Sequence, residues 1–83
     1  MEPERFPTTE DFRAVRIRPD RAIIQDEWIQ RAIEAPVREA VQADGRIRRW
    51  GWVPEAGHRS LRVVLLPDRM TVHNAFFDRT FKP

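Results

Sequence analysis

The chain has 83 residues, a net charge of +2 and no cysteine. This length supports one domain with a modest core, and the lack of cysteine excludes a disulfide framework and a thiolate metal site. The longest apolar run, residues 63–66, is far too short to span a membrane, and the acidic, proline-bearing N-terminus does not resemble a signal peptide. We therefore expect a cytoplasmic protein.

The charge is divided unevenly along the chain. Residues 1–45 carry seven arginines and ten acidic residues, a net of −3, whereas residues 46–83 carry seven arginines, one lysine and three acidic residues, a net of +5. A basic half of this kind attracts phosphate. The excess of arginine over lysine fits either the coding bias of a GC-rich genome or the use of guanidinium groups to bind phosphate.

The first half of the chain predicts helical structure. Residues 1–10 contain two prolines and are predicted to be a flexible lead-in to a single domain spanning residues 11–83. Residues 11–18 fit a short strand or a helical turn equally well, and Pro19 ends this segment. The clearest helix is predicted at residues 25–35, because its apolar residues recur at helical spacing, and Pro36 ends it.

The second half of the chain predicts a sheet, because its apolar period changes to two. Asp44-Gly45 is a dipeptide favoured in hairpin turns. The predicted strands are residues 37–42, 46–53, 60–66 and 71–77. The sequence thus predicts an α+β fold in which one or two N-terminal helices pack on one face of a four-stranded antiparallel sheet and leave the other face free. An edge strand at residues 37–42 would be able to pair with a second copy of the chain or with a partner segment.

Basic and aromatic residues alternate along the second predicted strand. Because side chains alternate across a pleat, one side of this strand carries Arg46, Arg48, Trp50 and Trp52. Guanidinium groups beside indole rings suit single-stranded nucleic acid. The alternative is that the tryptophans fill the core or cover the sheet while the arginines are solvated. Gly51, between the two indoles, is a candidate for a bulge.

Arg62 interrupts the apolar third strand and is the strongest candidate among single residues. An arginine on a middle strand needs an anion, which is either a ligand or a structural partner among Glu39, Glu55 and Asp78. Past the last strand, Arg79 and Lys82 form either a solvated tail or a phosphate clamp closing over the basic face.

The two histidines are candidates for proton transfer near neutral pH. His73 is the stronger one because the last strand would place it on the same sheet as Arg62, whereas His58 lies in a loop. Two isolated histidines make a poor metal-ligand set, so no metal and no cofactor are predicted. The sequence contains no nucleophile elbow, glycine-rich phosphate loop or paired catalytic carboxylates.

From about Arg18 onward the order of elements resembles the RelE-like toxin superfamily, especially the BrnT-like branch and its uncharacterised relatives. The resemblance rests on the segment RPDRAIIQDEWIQRAIEAP, the hairpin ADGRIRRWGWV, the strand LRVVLL and the closing TVHNAFFDR. It implies a toxin of a toxin–antitoxin module: an endoribonuclease that cleaves messenger RNA, often on the ribosome, without a metal, and that is neutralised by an antitoxin protein.

The resemblance also implies roles for particular residues. Arg62, opening the central strand, and Arg79, just beyond the last strand, would hold the scissile phosphate. Since the chain has no tyrosine and only one lysine, His73, or else His58, would transfer the proton.

Four further residues are predicted to bind RNA. Arg48 would hold the neighbouring backbone and Trp50 a splayed base, with Arg46 and Lys82 adding positive charge. Two other functions remain open: a catalytically silent module of the same fold that binds RNA, the ribosome or a protein, and an interaction protein whose basic sheet docks an acidic partner.

Overall fold

Three short helices precede four strands in the computed structural model, which describes residues 5–81. The elements in chain order are α1 (Glu10–Val15), α2 (Pro19–Ala22), α3 (Asp26–Glu34), β1 (Arg38–Val41), β2 (Ile47–Val53), β3 (Arg59–Leu65) and β4 (Val72–Phe77). The predicted α+β class is confirmed, with one more helix than the sequence predicted. No helix within residues 5–81 has the length and apolar character needed to cross a bilayer.

The first two helices settle the ambiguous segment near the N-terminus. Thr9 caps α1, since its hydroxyl oxygen accepts a hydrogen bond from the Phe12 amide at 3.1 Å. Pro19 begins α2 and does not end an element as we expected. The first position of a helix suits proline, because that amide has no helical partner in any case.

The sheet is an antiparallel meander in the order β1-β2-β3-β4. Its register places Trp50 opposite both Arg38 and Arg62, and Arg62 opposite Phe76. These residues form a row across all four strands. The one irregularity lies between Val64 and Leu65, where β3 pairs with β4. β2 is regular through Gly51, so this glycine does not mark a bulge.

The core lies between α3 and the β2–β3 face of the sheet. Trp28, Ile29 and Ala32 are the buried residues of α3, and the matching face of β3 carries fully buried Leu61, Val63 and Leu65. These three β3 residues face the helix as their period of two predicted.

Part of the predicted lead-in is packed against the domain. Phe6 is buried in the core cluster, and Thr8 forms a parallel bridge with Val72. The Thr9 amide donates to the Val72 carbonyl at 3.1 Å, and the Val72 amide donates to the Pro7 carbonyl at 2.9 Å. Residues 6–9 therefore extend the sheet beside β4, while residues 1–4 of the predicted lead-in lie outside the described residues.

Candidate functional site

Arg62 is paired with Asp78, one of the three carboxylates that the sequence offered it. Its Nε and Nη2 atoms donate to the same carboxylate oxygen of Asp78 at 3.0 and 2.7 Å. Asp78 follows β4 directly, and its amide donates to the Ser60 carbonyl at 2.9 Å. The arginine side chain keeps 22% of its surface exposed, whereas that of Asp78 keeps 5%. Arg62 thus has its counter-charge within the fold and retains only a partly open edge.

The Asp78 carboxylate is the most heavily bonded side chain in this region. Burial alone would raise its pKa, but hydrogen bonds from the Trp50 indole, from the Thr80 hydroxyl and amide, and from Arg62 together outweigh burial and hold the pKa far below its usual range. Asp78 is therefore charged at neutral pH and fixes the chain that follows β4 to the sheet.

Trp50 is not the exposed stacking platform that the sequence predicted. Only 6% of its surface is exposed, because the segment after β4, residues 78–81, folds over it. Phe81 stacks on the indole with ring centroids 4.8 Å apart and planes 12° apart, and the Arg38 guanidinium lies over Phe81 at 5.2 Å. The sheet face expected to be free is thus covered at its centre by the chain itself, which fits the alternative prediction for Trp50 but not for Trp52, whose ring is 38% exposed.

The other predicted RNA-binding residues that the structure describes, Arg46 and Arg48, lie toward the turn end of the sheet. Arg46 lies in the β1–β2 turn with its guanidinium 3.6 Å from Asp44, and Arg48 donates to Gln42 at 2.9 Å. At about 3.3 Å per residue, Arg46 lies about 20 Å along the strand from Trp52. Lys82 lies outside the described residues.

His73 is separated from the residues it was expected to assist. Its Nδ1 atom lies 3.1 Å from the Thr9 hydroxyl, which is the cap of α1. It is three residues, about 10 Å, along β4 from Phe76, the aromatic ring that contacts Arg62. The structure therefore does not bring His73 together with Arg62 and Arg79.

A groove forms where β2 ends, β3 begins and the chain leaves β4. It has a volume of about 400 Å³, and the residues that define its chemistry are Trp52, His58, Arg59, Phe77, Arg79 and Phe81. We call it the tryptophan groove. The groove results from the antiparallel register, which pairs Trp52 with Ser60 and Leu61 with Phe77 and so aligns the end of β2, the start of β3 and the end of β4. Three sequence-distant segments thus meet at one end of the sheet.

The groove combines open aromatic surface with positive charge. Trp52 is 38% exposed and its ring lies 5.8 Å from that of His58. The Arg59 guanidinium lies 3.8 Å from the centre of the Phe77 ring and donates to the Ala56 carbonyl at 2.7 Å. Within residues 5–81, neither Arg59 nor Arg79 has a carboxylate within 4 Å. In the part of the chain that the structure describes, no carboxylate thus competes with an anion for these two cations.

The carboxylates near the groove are already engaged. Glu55, in the 3-10 turn Pro54–Ala56, accepts from both terminal nitrogens of Arg31 at 3.0 and 2.8 Å. The Arg31 hydrogen bonds lower the pKa of Glu55 to about 2. Asp78 is neutralised by Arg62 as described above. Neither carboxylate offsets Arg59 and Arg79 directly.

Of the predicted site residues that lie within residues 5–81, the groove contains Arg79 alone. Arg59 carried no sequence signal beyond its charge, and the sequence placed Trp52 only on the predicted basic face. His58 was the weaker of the two histidines. Its φ of +56°, next to Gly57 at +80°, belongs to a left-handed turn that is uncommon for residues other than glycine. In the sequence, only Gly57 in the predicted loop before the third strand indicated a turn at this point.

Two further expectations concern metals and partners. Among the residues that the structure describes, no three histidine, aspartate or glutamate side chains converge to hold a metal ion.

β1 is an edge strand with all four residues exposed, as the predicted pairing edge requires, and the pairing itself stays a prediction.

Fold and site together define a small α+β domain with a meander sheet, an arginine–aspartate pair beneath a folded-over segment, and an arginine- and aromatic-lined groove at one sheet end. Comparisons of the chain with protein families, curated proteins and solved structures found no match.

Proposed function

We propose that this protein binds single-stranded RNA in the tryptophan groove. The observation that carries the proposal is the exposed Trp52 ring beside two arginines that have no carboxylate partner in the described part of the chain. Arginine binds phosphate through its planar fork, and an open indole stacks on any base. The proposed RNA site therefore lies at one end of the sheet, whereas the sequence predicted an RNA site at the centre of the sheet face.

Two arginine variants test where RNA binds. Arg79→Gln removes a groove cation, and Arg46→Gln removes an equally charged side chain at the opposite end of the sheet. Hydrogen bonds to charged groups contribute about 1.5–3 kcal/mol, so we expect R79Q to weaken binding at least tenfold and to reduce the slope of log affinity against log salt by about 1. R46Q should stay within twofold of wild type. The measurement is anisotropy of a labelled eight-nucleotide RNA across a salt series.

If R46Q bound RNA more weakly than R79Q, the result would contradict binding in the tryptophan groove and favour the sheet face that the sequence predicted. Trp52→Ala and Trp52→Phe complete the comparison, because stacking contributes about 1–3 kcal/mol per base and phenylalanine retains part of it.

A second candidate function is RNA cleavage, the toxin activity implied by the resemblance. It is favoured by His58, whose imidazole lines the same groove as Arg59 and Arg79. In this reaction His58 removes the proton of a 2′-hydroxyl, and the 2′-oxygen attacks the adjacent phosphorus. The bond from phosphorus to the 5′-oxygen then breaks, and that oxygen takes a proton from solvent. The arginines stabilise the charge that develops on the phosphate. An antitoxin protein and the ribosome remain the partners that accompany this candidate.

Cleavage is tested with the same RNA and the variant His58→Gln. General-base catalysis contributes about 10²–10⁴ in rate, so H58Q should lose cleavage by at least 10² while keeping its affinity within about twofold. An RNA with 2′-deoxy sugars must bind and stay intact. If wild-type protein leaves bound RNA uncut, both free and on translating ribosomes, the protein is a binding module and not a nuclease.

A further inference from the structure

A second groove lies on the other side of Arg59 and Arg79. It has a volume of about 330 Å³ and is bounded by Asp20, Arg21 and Ile23 of the α2 region, by Phe76, and by Arg59, Phe77 and Arg79, which also line the tryptophan groove. We call it the α2 groove. The two grooves are therefore contiguous, and the Arg59–Phe77–Arg79 ridge separates them.

Arg21 is a fixed cation at the wall of the α2 groove. Its Nη1 atom donates to the Asn74 side chain at 2.7 Å and to the Ala75 carbonyl at 3.1 Å. Its guanidinium also lies 5.3 Å from the centre of the Phe76 ring. Asp20, at 3.4 Å from Arg21, has a 72% exposed side chain, so solvent screens this ion pair. The α2 groove thus repeats the chemistry of the first one: a held arginine beside an aromatic ring.

We propose that the two grooves form one track that takes at least two consecutive nucleotides of single-stranded RNA. The phosphate between the nucleotides lies on the ridge at Arg59 and Arg79, with one base against Trp52. The next nucleotide lies in the α2 groove, where Arg21 faces its phosphate. Each groove is of the size that encloses one small ligand. This inference rests on the proposed RNA binding. It adds the minimum length of RNA that fills the site and the path of the RNA across the two grooves.

An open aromatic ring beside the ridge favours RNA over an acidic peptide. Arginines would hold carboxylates as well as phosphates, but the 38% exposed Trp52 ring offers a surface for a base, which a chain of acidic side chains lacks. The Phe76 ring is already contacted by the Arg21 and Arg62 guanidinium groups and serves to hold these cations beside the groove. Polyglutamate is therefore the competing ligand in the test.

The test uses two isoleucines that are both exposed. Ile23, 55% exposed, lines the α2 groove, whereas Ile17, 79% exposed, lies in the turn before α2. Ile23→Glu places a negative charge where the second nucleotide would lie, and Ile17→Glu makes the same change outside both grooves. Each protein is titrated with uridylate ligands of one, two, three and four nucleotides. Quenching of tryptophan fluorescence gives the affinity, the variant Trp52→Phe separates the signal of Trp52 from those of Trp28 and Trp50, and circular dichroism checks the fold.

We expect wild-type affinity to rise at least tenfold between one and three nucleotides. I23E should lose most of that gain while still binding the mononucleotide, and I17E should behave as wild type. Equal affinity at all lengths, or a length gain unchanged in I23E, would overturn the track but leave RNA binding in the tryptophan groove intact. Absence of quenching at every length would overturn RNA binding itself. Stronger binding of polyglutamate than of RNA would overturn both in favour of an acidic protein partner.

Discussion

At the scale of single residues, Gly51 sets how closely α3 approaches β2. A Cβ atom built on this glycine would lie 2.8 Å from the Cβ of Ala32 and 3.0 Å from its Cα. Contacts this short force the backbone apart, and Ala32 cannot rotate away as a longer side chain would. The glycine therefore serves close packing of helix on strand, and β2 stays regular through it.

Gly51→Ala should consequently destabilise the protein. Overpacking a well-packed core costs about 1–3 kcal/mol, and we expect a loss of free energy of unfolding in that range, measured by urea denaturation. In the double variant with Ala32→Gly, the Cβ–Cβ clash disappears and only the backbone contact remains. A32G alone loses about 1 kcal/mol through helix propensity, so the double variant should lose less than the sum of the two single losses. Strict additivity would contradict this account of Gly51.

At the scale of elements, the sequence predicts what local patterns specify. The β1–β2 hairpin and all four strands follow from a period of two and from turn residues, such as Asp44-Gly45, within a few positions of each other. α3 follows from its apolar spacing and from Pro36. Each of these patterns lies within the element that it predicts. The fold class could therefore be predicted without knowledge of any long-range contact.

The features that the sequence did not predict either are too short to show a pattern or depend on residues distant in the sequence. α2 has only four residues, too few for a periodic pattern, and its Pro19 is compatible with starting a helix as well as ending one. The packing of residues 78–81 over the sheet depends on Asp78 meeting Trp50, 28 positions away. The tryptophan groove likewise needs the end of β2, the start of β3 and the end of β4 to lie at the same edge of the sheet. The charge pattern and the resemblance both identified Arg79, but nothing local joined it to Trp52 or His58.

At the scale of the whole molecule, ion pairing redistributes the charge that the sequence places in its basic half. Arg46 and Arg69, at the turn end of the sheet, have Asp44 and Glu39 as partners at 3.6 and 2.5 Å. Arg59 and Arg79, at the other end, have no carboxylate partner among the described residues. Among the described residues of the basic half, three arginines therefore lack a carboxylate partner: Arg59 and Arg79 line both grooves, and Arg48 lies nearer the turn end, where its partner is the neutral Gln42.

The stability of the whole molecule should depend on pH through Asp78. Its pKa in the folded protein lies below the value of about 3.9 for an unfolded chain, so the unfolded state takes up the proton first as the pH falls. The contribution of Asp78 is thus complete above about pH 4 and is lost on further acidification. Asp78→Asn removes this charge and leaves Arg62 without its partner. We expect a loss of about 2–3 kcal/mol at pH 7, given hydrogen bonds to a charged group in a buried position.

The decisive measurement is the free energy of unfolding of wild type and D78N between pH 7 and pH 2.5. Wild type should lose stability steeply below pH 4, and D78N should lose less over the same interval, because it no longer has the carboxylate whose protonation favours unfolding. Glu34→Gln, which makes the same change of charge at the exposed end of α3, is the matched control and should retain the stability of wild type at pH 7. If D78N and wild type lose equal free energy on acidification, then the segment after β4 is held by the stacking of Phe81 on Trp50 and not by the Asp78 carboxylate.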